Sequence, residues 1–117
     1  MRNQPKYNFF KNTVYALKGF KDLITTETSF KIESLLAIVL IPMIIYVDIE
    51  IIKKILMFMS LMGVLIAEAV NSAIERVVDL VTTEYHHMAE RAKDVGSAVV
   101  FLSILLFVIV WSSVLFL

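Results

Sequence analysis

The sequence predicts an all-α integral membrane protein: three transmembrane helices behind an N-terminal amphipathic surface helix. Two observations point there. Hydrophobic residues make up 59% of the 117 positions and the mean hydropathy is +0.81, whereas soluble domains hold about 45–50% apolar residues. The apolar residues are also gathered into long runs. The last, residues 95–117, holds 23 positions without a charge, where about 20 suffice to cross a bilayer core. The length supports one domain, 1–117, with no room for a separate soluble nucleotide-binding domain beside the membrane segments. Eleven basic residues balance eleven acidic ones, so no charge excess points to a nucleic-acid partner. The absence of cysteine excludes disulfides and thiolate metal sites.

The surface helix is expected over about 6–28. Phe10, Val14, Leu17, Phe20 and Ile24 recur at spacings of three and four, with Lys11, Lys18 and Lys21 between them. That is the pattern of a helix lying in the membrane interface. The same lysines interrupt what would otherwise read as a signal-peptide core, and no small-residue cleavage site follows. The first span is expected over about 31–48, with Glu33 near its start and Pro42 inside it, a residue that membrane helices tolerate. The second, about 52–80, has only 13 uncharged residues between Lys54 and Glu68, too few to cross alone. A crossing helix must therefore carry Glu68 and Asn71 and reach Glu75, a reading favoured over a short re-entrant piece. Beyond Glu68 no Pro or Gly interrupts it before about Leu80. The third span covers about 92–117.

Three spans place the N-terminal segment and the 76–93 connection on one side. That side carries nine basic residues: Arg2, Lys6, Lys11, Lys18, Lys21 and Lys31, then Arg76, Arg91 and Lys93. The other side has only Lys53 and Lys54. The positive-inside rule puts the N-terminus and the connection in the cytoplasm, the compartment that holds ATP.

Glu68, Asn71, Glu75 and Asp79 stand at i, i+3, i+7 and i+11, within roughly 80° of arc on one helix face. An ionisable group at membrane depth is costly and marks function by default. Asp79, and in part Glu75, can be read as a solvated helix end; Glu68 cannot. Carboxylates in series suit a proton or cation path. They equally suit phosphoryl transfer from ATP, which needs oxygen ligands for Mg²⁺ and a base for the attacking hydroxyl. Glu75 fits a Mg²⁺ ligand, with Glu27 or Glu33 as a second, and the deeper Glu68 suits a general base. Glu84-Tyr85-His86-His87 follows in the connection, then Arg91 and Lys93-Asp94. Lys93 can meet phosphate oxygens, although a lysine at a helix end is more often a topology determinant. Adjacent His86 and His87 cannot share a helix face as metal ligands. Neither a Walker-type phosphate loop nor a G-x-G-x-x-G is present; the glycines are Gly19, Gly63 and Gly96.

The stretch Ala67-Glu68-Ala69-Val70-Asn71-Ser72-Ala73-Ile74-Glu75, then Val78-Asp79, Glu84-Tyr85-His86 and Ala92-Lys93-Asp94-Val95-Gly96-Ser97-Ala98, resembles the prokaryotic diacylglycerol kinase family. The resemblance covers essentially the whole chain. It implies a homotrimer in the bacterial cytoplasmic (inner) membrane that phosphorylates a lipid hydroxyl with MgATP at sites shared between subunits. By position it implies Glu68 as catalytic base, Asn71 as its support, and Glu27 and Glu75 as metal-binding carboxylates. Nucleotide contacts would come from Asn8, Tyr15, Glu27, Glu75, Glu84, Tyr85, His86, Lys93 and Asp94. Lipid contacts would come from Glu33, Glu68, Ser97 and Trp111. Three positions depart from the family pattern: Asn8 stands where arginine is common, Ile32 where a polar residue is frequent, and His87 where Glu or Pro is usual. Gly96-Ser97-Ala98 favours diacylglycerol over undecaprenol, the substrate of related kinases. A small ion- or proton-conducting protein is the alternative from another class, and a purely structural subunit would leave Glu68 unexplained.

Overall fold

The computed structural model describes residues 6–117; Arg2, one of the basic residues counted above, lies outside them. Four helices follow in order: α1 (Phe9–Thr26), α2 (Thr28–Tyr46), α3 (Ile51–Val81) and α4 (His87–Phe116). The last three are each long and apolar enough to cross a membrane.

Helix α1 starts where Asn8 takes an extended backbone and its Oδ1 accepts the Lys11 N–H at 3.1 Å. Such a cap satisfies one of the free N-terminal donors and is worth about 1 kcal/mol. The helix ends at Thr26, without Gly or Pro. Two hydroxyls turn back on the ladder there: Thr25 donates to Lys21 O at 2.9 Å and Thr26 to Asp22 O at 2.7 Å. Bonds of this kind compete with regular helix. Glu27 then adopts φ −107°, ψ 111°. Its N–H donates to Leu23 O, and its carbonyl accepts from the Lys31 N–H. One residue thus closes α1 and opens α2.

In α2 the buried residues Phe30, Ala37 and Ile44 stand seven apart, a single face, and α2 packs on α3. In the following turn the Glu50 carbonyl accepts from the Lys53 and Lys54 N–H groups. The Lys54 ammonium donates to Ile45 O at 2.7 Å, satisfying a carbonyl in the last turn of α2 with a cation at the negative end of its dipole.

Helix α3 has 31 residues, about 46 Å at 1.5 Å per residue, longer than the roughly 30 Å of a hydrocarbon core. Helix α3 ends at Val81, close to the expected 80, whereas α4 begins at His87 rather than near 92, which shortens the turn between them. Local caps permit this. Thr82 Oγ1 accepts the Glu84 N–H, and His86 Nδ1 accepts the Met88 N–H, both at 3.1 Å. Arg76, Asp79, Arg91 and Lys93 therefore stand on helices, where their directions are fixed.

The antiparallel α3–α4 pair is the principal packing contact of the fold. Its register is marked by Asp79 with Lys93, Asn71 with Gly96, and Met57 with Trp111. The core cluster of Ala37, Ile44, Met57 and Leu61 joins α2 to this pair. The Trp111 indole N–H donates to Met57 O at 3.2 Å, and its ring packs 4.9 Å from Phe107. Trp111→Phe keeps a ring but loses that bond, so unfolding in detergent should show a loss of about 1 kcal/mol. No loss would mean that the bond does not secure α4 to α3.

Candidate active site

The stripe on α3 meets a different element at each step. Glu68 faces Glu33 of α2, and the two carboxyl groups are close enough to interact directly. Glu33 Oε2 is buried without a partner, and so is Asn71 Oδ1, one turn from Glu68. Asn71 lies that close because α4 offers no side chain opposite: a Cβ built on Gly96 would collide with Asn71 Oδ1. A buried acceptor left unpaired costs about 1–3 kcal/mol, and native structures keep few of them. Two beside one half-buried carboxyl mark a place shaped to receive a hydrogen-bond donor.

An apolar cleft of ≈ 200 Å³ opens beside that place. Leu36, Leu40, Leu61, Val64, Ile104 and Phe107 are among its walls, and Glu33 is its polar end. A hydrocarbon channel headed by a carboxyl suits a ligand that joins an acyl tail to a hydroxyl.

Further along α3 the stripe leaves the apolar core. Arg76, beside Glu75, forks towards the end of α1. It pairs with Asp22 and donates to Thr26 Oγ1 at 3.0 Å and to Glu27 Oε1 at 3.1 Å. Asp79 accepts from the Lys93 ammonium at 2.8 Å. These last two line a polar cavity of ≈ 410 Å³ between the ends of α3 and α4, together with Glu84, Tyr85, His86 and Asp94. The Tyr85 hydroxyl is held above its ordinary pKa first by its hydrogen bond to Glu90 and then by desolvation, and so stays a donor. The His86 and His87 rings stack with centroids 4.7 Å apart; one caps α4 and the other begins it.

The structure thus gathers Glu84, Tyr85, His86, Lys93 and Asp94 in one cavity, and Glu33, Glu68 and Asn71 in one cluster. The remaining expected residues lie elsewhere. Asn8 caps α1, Tyr15 is half-buried on it, and Glu27 occupies the corner between α1 and α2. Ser97 is exposed beside Gly96. Trp111 lies in the α3–α4 core, about 22 Å along α4 from Gly96 at 1.5 Å per residue. Among the described residues no three carboxylate or imidazole groups converge to hold a metal ion unaided. Mg²⁺ does not need such a cluster, because that ion usually takes one or two carboxylates and completes its shell with phosphate oxygens and water.

Two residues outside the expected set emerge from packing. Gly96 seats Asn71, and its one signal in the sequence is a glycine within an apolar run. Arg76 bridges α3 to α1, a role hinted at only by Asp22 and Thr26 standing four apart on one helix face.

Lys93 gives a direct test of the cavity. Lys93→Met should raise KM for MgATP about tenfold or more, since a hydrogen bond to a charged group is worth about 1.5–3 kcal/mol. Steady-state kinetics with KM unchanged would remove Lys93 from the nucleotide.

Comparison with known proteins finds relatives along most of the chain. Residues 14–115 match the family described as prokaryotic diacylglycerol kinase. The chain is 41% identical over 109 residues to a diacylglycerol kinase of Haemophilus influenzae, covering 93% of this chain and 92% of that protein. It is 38% identical over 97 residues to a diacylglycerol kinase of Escherichia coli, covering 83% and 80%. It is also 33% identical over 92 residues to an undecaprenol kinase of Bacillus subtilis, covering 79% and 75%.

Proposed function

The chain belongs to the prokaryotic diacylglycerol kinase family, and we propose that it transfers the γ-phosphoryl group of MgATP to the hydroxyl of diacylglycerol, giving phosphatidic acid and ADP. The observation that carries this reading is the contact of Glu68 with Glu33, the polar end of an apolar cleft, one helical turn from the unpaired Asn71 oxygen. On the same helix pair, a polar cavity lined by Lys93 and Tyr85 lies further along. One place suits a lipid hydroxyl and the other a phosphorylated, water-soluble ligand.

The lipid hydroxyl attacks Pγ in line. A new O–P bond forms while the bond from Pγ to the β,γ-bridging oxygen breaks, and ADP leaves with that oxygen. Glu68 takes the hydroxyl proton. Asn71, held by Gly96, orients the reacting group. Lys93 binds phosphate oxygens after exchanging its pairing with Asp79. Glu75 and Glu27 would hold Mg²⁺, which would supply positive charge to offset that of the transferring phosphoryl group. The family's nucleotide contacts from Asn8 and Tyr15 reach the cavity from a neighbouring copy in this reading.

The remaining surface supports a membrane-embedded homotrimer. Helix α4 buries Gly96 alone, while Phe101 and Leu102 are 67% and 62% exposed. A soluble monomer rarely exposes so extended an apolar surface; acyl chains and neighbouring copies would cover it. The N-terminus and the 82–86 turn face the bacterial cytoplasm, and α1 lies on that membrane surface.

The test is reconstitution of the purified protein in mixed micelles with MgATP, offering diacylglycerol and undecaprenol separately. Phosphatidic acid formed in preference to undecaprenyl phosphate is the expected result. Preference for undecaprenol would transfer the reading to the activity for which the Bacillus subtilis relative is named. ATP-independent ion flux without either product would replace it with a conducting protein.

A further inference from the structure

We infer that Arg76 is a positioning residue that holds the Glu27 carboxylate against α3, an inference that rests on the reading of Glu27 as a metal ligand. The guanidinium is a three-way tie. It pairs with Asp22 in the last turns of α1, reaches the Thr26 hydroxyl at 3.0 Å, and binds Glu27 Oε1 at 3.1 Å. These partners lie 49 to 54 residues away in the chain, so the contact is wholly tertiary. Glu27 needs such a hold. It is the single extended residue between two helices, and its side chain caps neither of them.

Apolar packing at this corner joins α1 to α2, where Phe20 meets the buried Phe30, but it supplies little restraint between α1 and α3. Between α1 and α3 lies a cleft of ≈ 250 Å³, walled by Gly19, Phe20 and Leu23 on one side and Met62, Leu65 and Ile66 on the other. Helices separated by a cleft can slide, and a slide of α1 carries Glu27 with it. The planar fork of arginine, which binds carboxylates with defined geometry, fixes that register. It does so one residue from Glu75, the other carboxylate read as a metal ligand. Glu27 keeps its second oxygen for Mg²⁺ while Arg76 orients the first.

The experiment measures Mn²⁺ binding by electron paramagnetic resonance, with a non-hydrolysable ATP analogue and the full-length protein in micelles. Amide exchange across α1 is recorded in parallel. Arg76→Ala should weaken Mn²⁺ binding about tenfold to a hundredfold, the usual effect of losing a group that orients a metal ligand, and should speed exchange at 22–27. Asp22→Ala removes the α1 tie but leaves Glu27 its partner, so Mn²⁺ binding should weaken at most about fivefold. Wild-type Mn²⁺ affinity in Arg76→Ala, with Glu27→Gln clearly weakened, would overturn the inference and keep Glu27 as a ligand. Equal losses in Arg76→Ala and Asp22→Ala would also overturn it, reducing Arg76 to a tether of α1. Unchanged affinity in Glu27→Gln would overturn the metal reading itself.

Discussion

Glu68→Ala is expected to lower the rate of phosphatidic acid formation by about 10²–10⁴-fold, the span that general-base catalysis usually supplies. No other carboxyl stands in the same relation to the reacting group. Glu33 touches Glu68 from α2, but it also heads the apolar cleft, where the proposed reading gives it to the lipid. Folding should survive, because Glu68 is only half-buried and its removal takes one carboxyl from a crowded pair. Turnover in mixed micelles, with detergent unfolding as the control, makes the measurement. Near-wild-type turnover would leave the kinase in place and remove Glu68 from the role of base.

Gly96→Ala should be almost as damaging, although Gly96 touches no substrate. Its added methyl would collide with Asn71 Oδ1. Asn71 is short and can rotate away. Alanine also favours helix by about 1 kcal/mol over glycine, which offsets part of the strain. Stability should therefore change little, while the displaced amide leaves the reacting centre. A shift of about 1 Å in a positioning group can cost about 10²-fold in rate, and that is the expected loss. Asn71→Ala combined with Gly96→Ala removes the clash but not the defect. The double variant should unfold as the wild type does and turn over no faster than Asn71→Ala alone. Full turnover in Gly96→Ala would show that Asn71 does not need its seat.

Much of this site was legible along the chain because helical periodicity is local. The spacing of Glu68, Asn71, Glu75 and Asp79 puts them on one face whatever surrounds them. The shortage of apolar residues between Lys54 and Glu68 forces polar groups into a crossing helix. The polar cavity between the ends of α3 and α4 was legible for a related reason: Glu84 to His86 and Lys93 to Asp94 flank a single turn, so a hairpin of any reasonable geometry brings them together. The break between α1 and α2 was expected at about 28–31, but its sharpness and its place at Glu27 were not legible. No Gly or Pro announces it, and it depends on Thr25 and Thr26 donating to backbone carbonyls instead of to water. The start of α4 at His87 rather than about 92 was missed because charged residues read equally well as loop or as solvated helix.

The sequence by itself determined that the chain is helical, that three of its segments are apolar enough to cross a bilayer, and which carboxylates share a face. Each follows from composition and from interactions within one or two turns. Tertiary structure alone decided that Glu33 meets Glu68, that Gly96 seats Asn71, that Arg76 holds Glu27, and that Trp111 belongs to the packing of α4 on α3. Each of these depends on the register between helices. That register is set by many weak contacts spread along two surfaces, and no local pattern of residues encodes it.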